Sequence, residues 1–174
     1  HQVHVVVGHV HGNLIGEAGM AVDLHALNEA IHPLPDFTIL PATDPKTLEA
    51  WGGVFAAAFE TPASAGQAWA DATLSAGPAQ APWQLFIGYL DGQPVATSML
   101  FNGAGVAGVY CVGVLSSARR RGLGAAITLQ PLLLARAQGY RHAVLFASRL
   151  GSPVYRRLGF WPLDCQIGIY QLDL

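Results

Sequence analysis

The sequence of 174 residues contains few charged residues and few cysteines. Charged side chains make up 11% of the chain, less than half of their usual share, whereas apolar side chains make up 52%. This imbalance predicts extensive apolar surface, part of which another domain or subunit would cover. Lys46 is the only lysine, and the two cysteines, Cys111 and Cys165, lack the spacing of a metal site or a redox pair. We therefore expect reduced thiols and an intracellular protein.

Long hydrophobic runs are also missing. The richest one, from Leu123 to Ala135, is too short for a membrane span and contains Thr128, Gln130 and Pro131. Residues 1–24 have neither the basic flank nor the apolar centre of a secretion signal. These absences predict a cytoplasmic chain with no membrane partner.

Positive charge is confined to the last third of the chain. Residues 1–118 carry nine carboxylates and a single cation, whereas residues 119–174 carry all eight arginines and two aspartates. A nucleic-acid-binding domain usually has a larger positive balance with interleaved aromatic residues, so the net charge of −2 argues against nucleic acid as a partner. The local cluster of arginines fits a phosphate site better.

The most informative stretch of the sequence is residues 112–125. A β-branched run ends there, Arg119, Arg120 and Arg121 form a short turn, and Gly122-Leu123-Gly124 opens a long apolar helix. The first N–H groups of a helix have no intrahelical acceptors and lie at the positive end of its dipole. Glycines allow a ligand to approach the backbone, and arginine forks suit phosphate oxygens. The stretch therefore predicts a site for a pyrophosphate-bearing cofactor.

The start of the chain is harder to interpret. Residues 1–24 could be the tail of an upstream related domain, because Gly19–Leu24 loosely echoes Gly168–Leu174, and the proline-containing segment 25–36 could be a linker. The histidines in this region are candidate metal ligands, but scattered terminal histidines are more often structural or exposed, so we expect no metal site. They are His1, His4, His9 and His11.

From residue 37 onward, hydrophobic periodicity predicts alternating strands and helices. Pro131 should kink or divide the longest helix, because proline has no N–H and clashes with the preceding turn. Ser64 and Gln67 have the spacing of a capping box. The predicted elements are strand 37–40, a helix from Asp44-Pro45 with an apolar face of Leu48, Trp51, Phe55 and Phe59, helix 65–75, strands 83–90, 94–101 and 106–114, the long helix from 123 to Gly139, strand 142–148, helix 153–158 and strand 167–174.

This order of elements resembles the GCN5-related N-acetyltransferase (GNAT) family over residues 37–174. Two motifs carry the resemblance: Arg119-x-x-Gly122-x-Gly124 after a strand, and Val154-Tyr155-Arg156-Arg157-Leu158-Gly159-Phe160, which is similar to the family's Y-x-x-L-G-F. The resemblance implies an α/β (α+β) fold with a mixed, mostly antiparallel sheet flanked by helices. It also implies an acyltransferase that moves acetyl from acetyl-CoA to an amine of a small molecule or peptide.

The resemblance also assigns roles to residues. The backbone of Val112 and Val114 would pair with the pantetheine arm, and N–H groups from Arg120 to Ala125 would hold the pyrophosphate. Tyr155 would act as general acid toward the departing CoA thiolate, although a packed core tyrosine is the alternative. The implied cofactor contacts are Val112, Gly113, Val114, Arg119, Arg120, Arg121, Gly122, Leu123, Gly124, Ala125 and Ser148.

Two positions depart from the family pattern. Gly108 stands where several members carry a glutamate base, and Ser148 stands where an asparagine is often found. Glu60, between the first two helices, could act as a base through water. Cys111 could accept the acyl group, although cysteine in an apolar strand is more often a small core residue. An amine with a lowered pKa would need no dedicated base.

Two further interpretations remain open. The missing base and the low charge are compatible with a non-catalytic CoA-binding or interaction domain of a tandem GNAT-like protein, which could form a homodimer or pack against an upstream domain. Gly-x-Gly after a strand also occurs in dinucleotide-binding proteins. That class is disfavoured because Ile127 replaces the third glycine or alanine, and because antiparallel hairpins precede the motif.

Overall fold

One mixed sheet of eight strands organises the residues that the computed structural model describes, which are 3–8, 16–31 and 35–171. The strands are β1 (Val3–Gly8), β2 (Gly16–Asp23), β3 (Phe37–Pro41), β4 (Trp83–Leu90), β5 (Gln93–Gly103), β6 (Val106–Val114), β7 (His142–Ala147) and β8 (Trp161–Gln171). The helices are α1 (Pro45–Ala58), α2 (Ala63–Ala76), α3 (Leu123–Ala137) and α4 (Ser152–Leu158).

The strands lie in the order β1-β8-β2-β7-β6-β5-β4-β3, and only β6 and β7 run parallel to each other. The α/β class with a mixed, mostly antiparallel sheet is therefore confirmed. So is the meander of β4, β5 and β6, whose first turn holds Asp91 and Gly92 at φ 51° and 74°. Positive φ at both positions matches the twist of a tight hairpin.

Helices cover the sheet from both sides. Because successive side chains of a strand point to opposite faces, Leu85 and Phe86 belong to different cores. Leu85 lies in a smaller core with Leu48 and Trp51 of α1, whereas Phe86 lies in the larger core beneath α3. The smaller core defines what we call the α1 face of the sheet.

The two helices of the α1 face begin differently from each other. α1 starts as predicted, because the Asp44 carboxylate accepts hydrogen bonds from the N–H groups of Lys46 and Thr47, each at 3.0 Å. The capping box predicted for Ser64 and Gln67 is wrong. α2 already begins at Ala63, after Pro62, with no side-chain cap, and the Gln67 amide donates to Asp71 instead.

Pro131 does not divide α3, which is continuous from Leu123 to Ala137. Without an N–H, Pro131 leaves the carbonyl of Ile127 one turn earlier without its helical donor. The buried Ser98 hydroxyl of β5 donates to this carbonyl oxygen at 2.8 Å. The sheet therefore supplies the hydrogen bond that the proline removes.

Because the Ser98 hydroxyl replaces the N–H that Pro131 lacks, the effects of mutating Ser98 and Pro131 on stability should depend on each other. Ser98→Ala should lower the free energy of unfolding by about 1–3 kcal/mol, because it leaves a buried carbonyl without a donor. In a Pro131→Ala background the restored N–H can reach Ile127, so the same change should cost at least about 1 kcal/mol less. Urea denaturation of the wild type, the two single variants and the double variant measures this coupling. An equal cost of Ser98→Ala in both backgrounds would contradict it.

The N-terminal segment is part of the sheet. β2 lies between β7 and β8 and is antiparallel to both. The following residues pack on the helices: Arg136 of α3 forms an ion pair of 2.7 Å with Glu29, and the Asn28 amide donates to the Arg157 carbonyl at 3.0 Å. Three assignments stay predictions: that residues 1–24 are the tail of an upstream domain, that 25–36 are a linker, and that the domain begins at 37.

The last strand differs from its prediction. β8 begins at Trp161 rather than Ile167, and residues 172–174 lie outside the described part of the chain. The side chains of the four histidines considered as metal ligands (His1, His4, His9 and His11) also lie outside it. Among the described residues, no cluster of three or more histidine, cysteine or acidic side chains could hold a metal ion. Likewise, none of the helices described is long and apolar enough to cross a membrane.

Candidate active site

A groove opens where β6 and β7 separate. The two parallel strands pair only at their beginnings, at Ala107 with Ala143 and at Gly108 with Val144. β6 then continues to Val114 with β5 as its strand neighbour on one side, and no strand of the described sheet pairs with its other edge. Val112, Gly113 and Val114 lie on this open stretch, so their placement suits an extended ligand bound along a strand edge.

A β-bulge at Cys111 lies within the open stretch, three residues after its beginning at Gly108. The register between β5 and β6 shifts between Thr97 and Met99, and Cys111 has a φ of 51°, which is rare for a residue other than glycine. The Thr97 hydroxyl donates to the Cys111 carbonyl at 2.9 Å. Across the bulge, the Ser98 carbonyl accepts the indole N–H of Trp51 at 3.2 Å.

Sequence reasoning placed Trp51 on the apolar face of α1 but missed the bonds that Thr97, Ser98 and Trp51 make. All three residues are fully buried, and each donates a hydrogen bond to a backbone carbonyl. Thr97 donates to Cys111, Ser98 to Ile127 and Trp51 to Ser98. A threonine and a serine within a hairpin strand give no local signal, because their partners lie in other elements. Thr97 and Trp51 bond to the backbone on either side of the bulge, and Ser98 bonds to α3.

Cys111 itself is poorly suited to accept an acyl group. Burial raises the pKa of its thiol to about 12, so that the thiol stays protonated at neutral pH. The thiolate is the nucleophilic form of cysteine. The geometry therefore favours the alternative of a small, partly buried packing residue.

The arginine turn, residues 119–122, follows the end of β6. The Arg119 guanidinium donates through Nε to the Val114 carbonyl at 3.0 Å, so this side chain folds back onto the strand, although all three arginines of the turn are exposed. Gly122 adopts a φ of 81° immediately before α3, a conformation that favours glycine.

The beginning of α3 is open to a ligand. In the described part of the chain, the N–H groups of Arg120 to Gly124 have no acceptor, whereas the N–H of Ala125 already donates to Gly122 at 3.1 Å. A Cβ placed on Gly124 would meet only a methyl group of Val114, at 3.9 Å. Free donors, an open backbone and the positive end of a helix dipole together suit an anion.

Tyr155 and Ser148 lie on the other side of the groove, after β7. The Tyr155 side chain is 8% exposed, and its ring packs edge-on against Phe160 at 6.0 Å and lies beside the backbone of Gly151. Ser148 is exposed and caps the turn into α4, where its hydroxyl oxygen accepts the N–H of Gly151 at 3.2 Å. A small exposed fraction on a well-packed tyrosine is compatible with a fixed proton donor.

Two aromatic rings lie near Gly108, the position at which several family members carry a glutamate base. A Cβ on Gly108 would lie 2.5 Å from the ring of Tyr110, so this ring occupies the place of a longer side chain. The turn after α1 packs against β6, because the Phe59 ring would lie 3.0 Å from a Cβ placed on Gly113. Glu60 follows Phe59, is exposed and has a φ of 54°, so it belongs to this same turn.

Residues 50–160 match the sequence model of the acetyltransferase (GNAT) family. No curated protein has a matching sequence. Two GCN5-related N-acetyltransferases of known structure have similar folds. The one from Kribbella flavida has a TM-score of 0.67 and 25% identity, and the one from Sphaerobacter thermophilus has a TM-score of 0.71 and 23% identity.

The similarity covers 95% and 93% of this chain but only 58% and 55% of those two proteins, so the chain spans a little over half of their length. A protein named a predicted acetyltransferase from Clostridium acetobutylicum, solved with acetyl-CoA, has a TM-score of 0.60 at 16% identity. There the match covers 79% of this chain and 95% of the other. Because the family match extends over more than half of the chain and includes the arginine turn and α4, this chain belongs to the GNAT family of acetyltransferases.

Proposed function

We propose that this chain binds acetyl-CoA in the groove between β6 and β7 and transfers the acetyl group to an amine. The observation that carries the proposal is the continuity of three features: the bulge at Cys111, the open edge that follows it, and the helix start with free donors. A long ligand with amide groups at one end and a pyrophosphate at the other matches this sequence of features.

The chain's own groups divide the binding between them. Val112, Gly113 and Val114 offer backbone groups to the pantetheine amides. Arg120 and Arg121 offer positive charge, and the free N–H groups at the start of α3, including those of Gly122, Leu123 and Gly124, hold the pyrophosphate. Arg119 shapes the turn through Val114, Ala125 continues the helix, and Ser148 borders the groove from the end of β7.

Acetyl-CoA supplies a thioester carbonyl carbon. A backbone N–H of β6 near the bulge polarises the carbonyl oxygen as the amine nitrogen approaches the carbon. The new C–N bond forms as the C–S bond breaks, and the thiolate sulfur takes a proton from Tyr155 Oη. The proton lost by the amine passes to water, from which Tyr155 recovers its own. Positioning and a fixed donor supply the catalysis, with no carboxylate required at Gly108.

Tyr155→Phe tests the proton donor. We expect CoA release from acetyl-CoA to slow by about 100-fold or more, because a general acid typically contributes 10²–10⁴. Calorimetric affinity for acetyl-CoA should be unchanged, since the ring still packs against Phe160. Unchanged turnover would remove Tyr155 from the mechanism.

The wild-type chain provides the broader test. Folded protein that does not bind acetyl-CoA in calorimetry would contradict the proposal altogether. Binding without acetylation of any amine in a chemically varied panel would instead favour the non-catalytic interpretation, for which the absence of a carboxylate at Gly108 is the motivating observation.

A further inference from the structure

Residues 24–31, which follow β2 and which we call the strap, are bonded to the body of the domain. Leu24 is buried, its N–H donates to the Arg141 carbonyl at 2.8 Å, and its own carbonyl accepts a hydrogen bond from Arg136 at 3.1 Å. The Arg136 guanidinium also pairs with Glu29 at 2.7 Å. These bonds fix the strap against the C-terminal end of α3.

Asn28 connects the strap to the C-terminal end of α4. Its amide Nδ2 donates to the Arg157 carbonyl at 3.0 Å, and its backbone N–H donates to the Leu158 carbonyl at 3.2 Å. Its Oδ1 accepts the N–H of Ala30 at 3.1 Å, which fixes the orientation of the amide. One residue of the strap therefore supplies donors to the last two carbonyls of α4.

Asn28 completes the cap of this helix. The last four carbonyls of a helix have no N–H partners within it. Just beyond α4, the Gly159 N–H donates to the Arg156 carbonyl at 3.1 Å, and the Phe160 N–H donates to the Tyr155 carbonyl at 3.0 Å. These two bonds, with a φ of 103° at Gly159, form a Schellman motif. The motif leaves two carbonyls over, and Asn28 bonds to both.

α4 depends on these contacts because it is short. It has only seven residues, and a helix of this length is not stable by itself in water. Its N-cap residue is Gly151, which has no side chain to accept a hydrogen bond. Gly159 lies close against the strap, since a Cβ there would be 3.2 Å from the Ala26 carbonyl oxygen. The strap therefore determines where the C-terminal end of α4 lies.

The end of α4 that the strap holds is the end that carries Tyr155. Tyr155 lies two residues before Arg157, and its ring packs against Phe160 just after the helix. A shift of this end would move the Tyr155 hydroxyl relative to the groove. Misplacement of a catalytic group by about 1 Å can slow a reaction by about 100-fold.

We propose that Asn28 is a positioning residue for the acetyl transfer. By capping α4, it holds the Tyr155 hydroxyl at the place where the CoA thiolate leaves, and it acts through the helix rather than through the substrates. The inference rests on the proposed function, in which Tyr155 is the proton donor. Asn28 and Arg157 are 129 positions apart in the sequence, so the connection exists only in the folded chain.

Two substitutions of Asn28 test the bond to α4. Aspartate has the same shape and can still accept the N–H of Ala30, but it places an oxygen where Arg157 needs a donor, whereas alanine removes both bonds. We expect each variant to lower kcat by about tenfold and to leave the KM for acetyl-CoA within about twofold of the wild-type value. CoA release from acetyl-CoA is measured with the amine that the wild type acetylates fastest.

Both variants should fold, because Asn28 is exposed and its backbone bond to Leu158 is kept. Glu29→Ala is the matched control: Glu29 is the next residue of the strap and is also exposed, but it pairs with α3. Its kcat should equal that of the wild type. An equal loss of kcat in Glu29→Ala, or an unchanged kcat in Asn28→Asp, would overturn the assignment to Asn28.

The Tyr155→Phe background tests whether the hydroxyl is the group that Asn28 positions. Without the hydroxyl, the cap has no proton donor to place, so Asn28→Asp should lower the remaining kcat by less than about twofold. If Asn28 had only a structural role, Asn28→Asp would lower kcat by the same factor in both backgrounds. That result would overturn the inference.

The failures of the two proposals are distinguishable. No binding of acetyl-CoA, or no acetylation of any amine, would refute the proposed transfer and the positioning role with it. Acetylation by the wild type, with an equal kcat in Asn28→Asp, would overturn the positioning role alone and leave acetyl transfer intact.

Discussion

Gly124→Asp should weaken acetyl-CoA binding by about 100-fold or more, the largest loss of cofactor affinity expected of a single substitution in this chain. The new carboxylate would lie at the second position of α3, beside the free N–H groups that are proposed to hold the pyrophosphate. Repulsion between unit charges a few ångströms apart near a protein surface is worth about 1–4 kcal/mol, and the pyrophosphate carries more than one charge. Calorimetric titration with CoA measures the loss.

Gly124→Ala is the matched control. A Cβ at this position meets only Val114, at 3.9 Å, so alanine fits and should reduce the affinity by less than tenfold. A loss of affinity in Gly124→Asp would not result from unfolding, because an acidic residue in the first turn of a helix stabilises the helix. Wild-type affinity in Gly124→Asp would show that the phosphate does not bind at the start of α3.

Gly66→Ala should produce the largest loss of stability. α1 and α2 approach each other at Gly52 and Gly66, and a Cβ on Gly66 would lie 2.6 Å from the carbonyl carbon of Gly52. Neither helix can rotate a backbone atom away, so the two must separate. We expect the free energy of unfolding to fall by about 2–3 kcal/mol, the upper part of the range for overpacking.

Gly53→Ala should have the opposite sign. Gly53 neighbours Gly52 in α1, but a Cβ there has nothing within 4 Å. Alanine should therefore raise the stability by about 0.5–1 kcal/mol through helix propensity alone. Urea denaturation followed by circular dichroism compares the two variants. Equal effects would show that the helices do not meet at these glycines.

Local signals in the sequence predicted much of the fold. The Asp44 cap placed the start of α1, and the alternation from Trp83 to Leu90 gave β4 with its observed bounds. Each of these signals lies within the element it specifies. Gly52 and Gly53 also show the limit of such signals, since adjacent identical residues have different surroundings that only the position of α2 determines.

The features that sequence reasoning missed depend on distant partners. Pro131 looked like a helix breaker because its compensating donor, Ser98, comes from a strand 33 positions earlier. The bulge at Cys111 depends on Thr97 and Trp51 in the same way. The turn 119–122 between β6 and α3 could be predicted because it is contiguous.

The position of β2 has a consequence for how this molecule folds. Asp23 pairs with His142, and Ala21 pairs with Trp161, so both neighbours of β2 come from residues at least 119 positions later in the chain. Contacts of such long range raise the contact order and slow folding, because a large loop must close before the contacts stabilise it. During synthesis on the ribosome, β2 is made before both of its partner strands, so both of its edges stay unpaired until β7 and β8 have been made. Chaperone binding at this strand would protect the chain during the interval in which its edges invite aggregation.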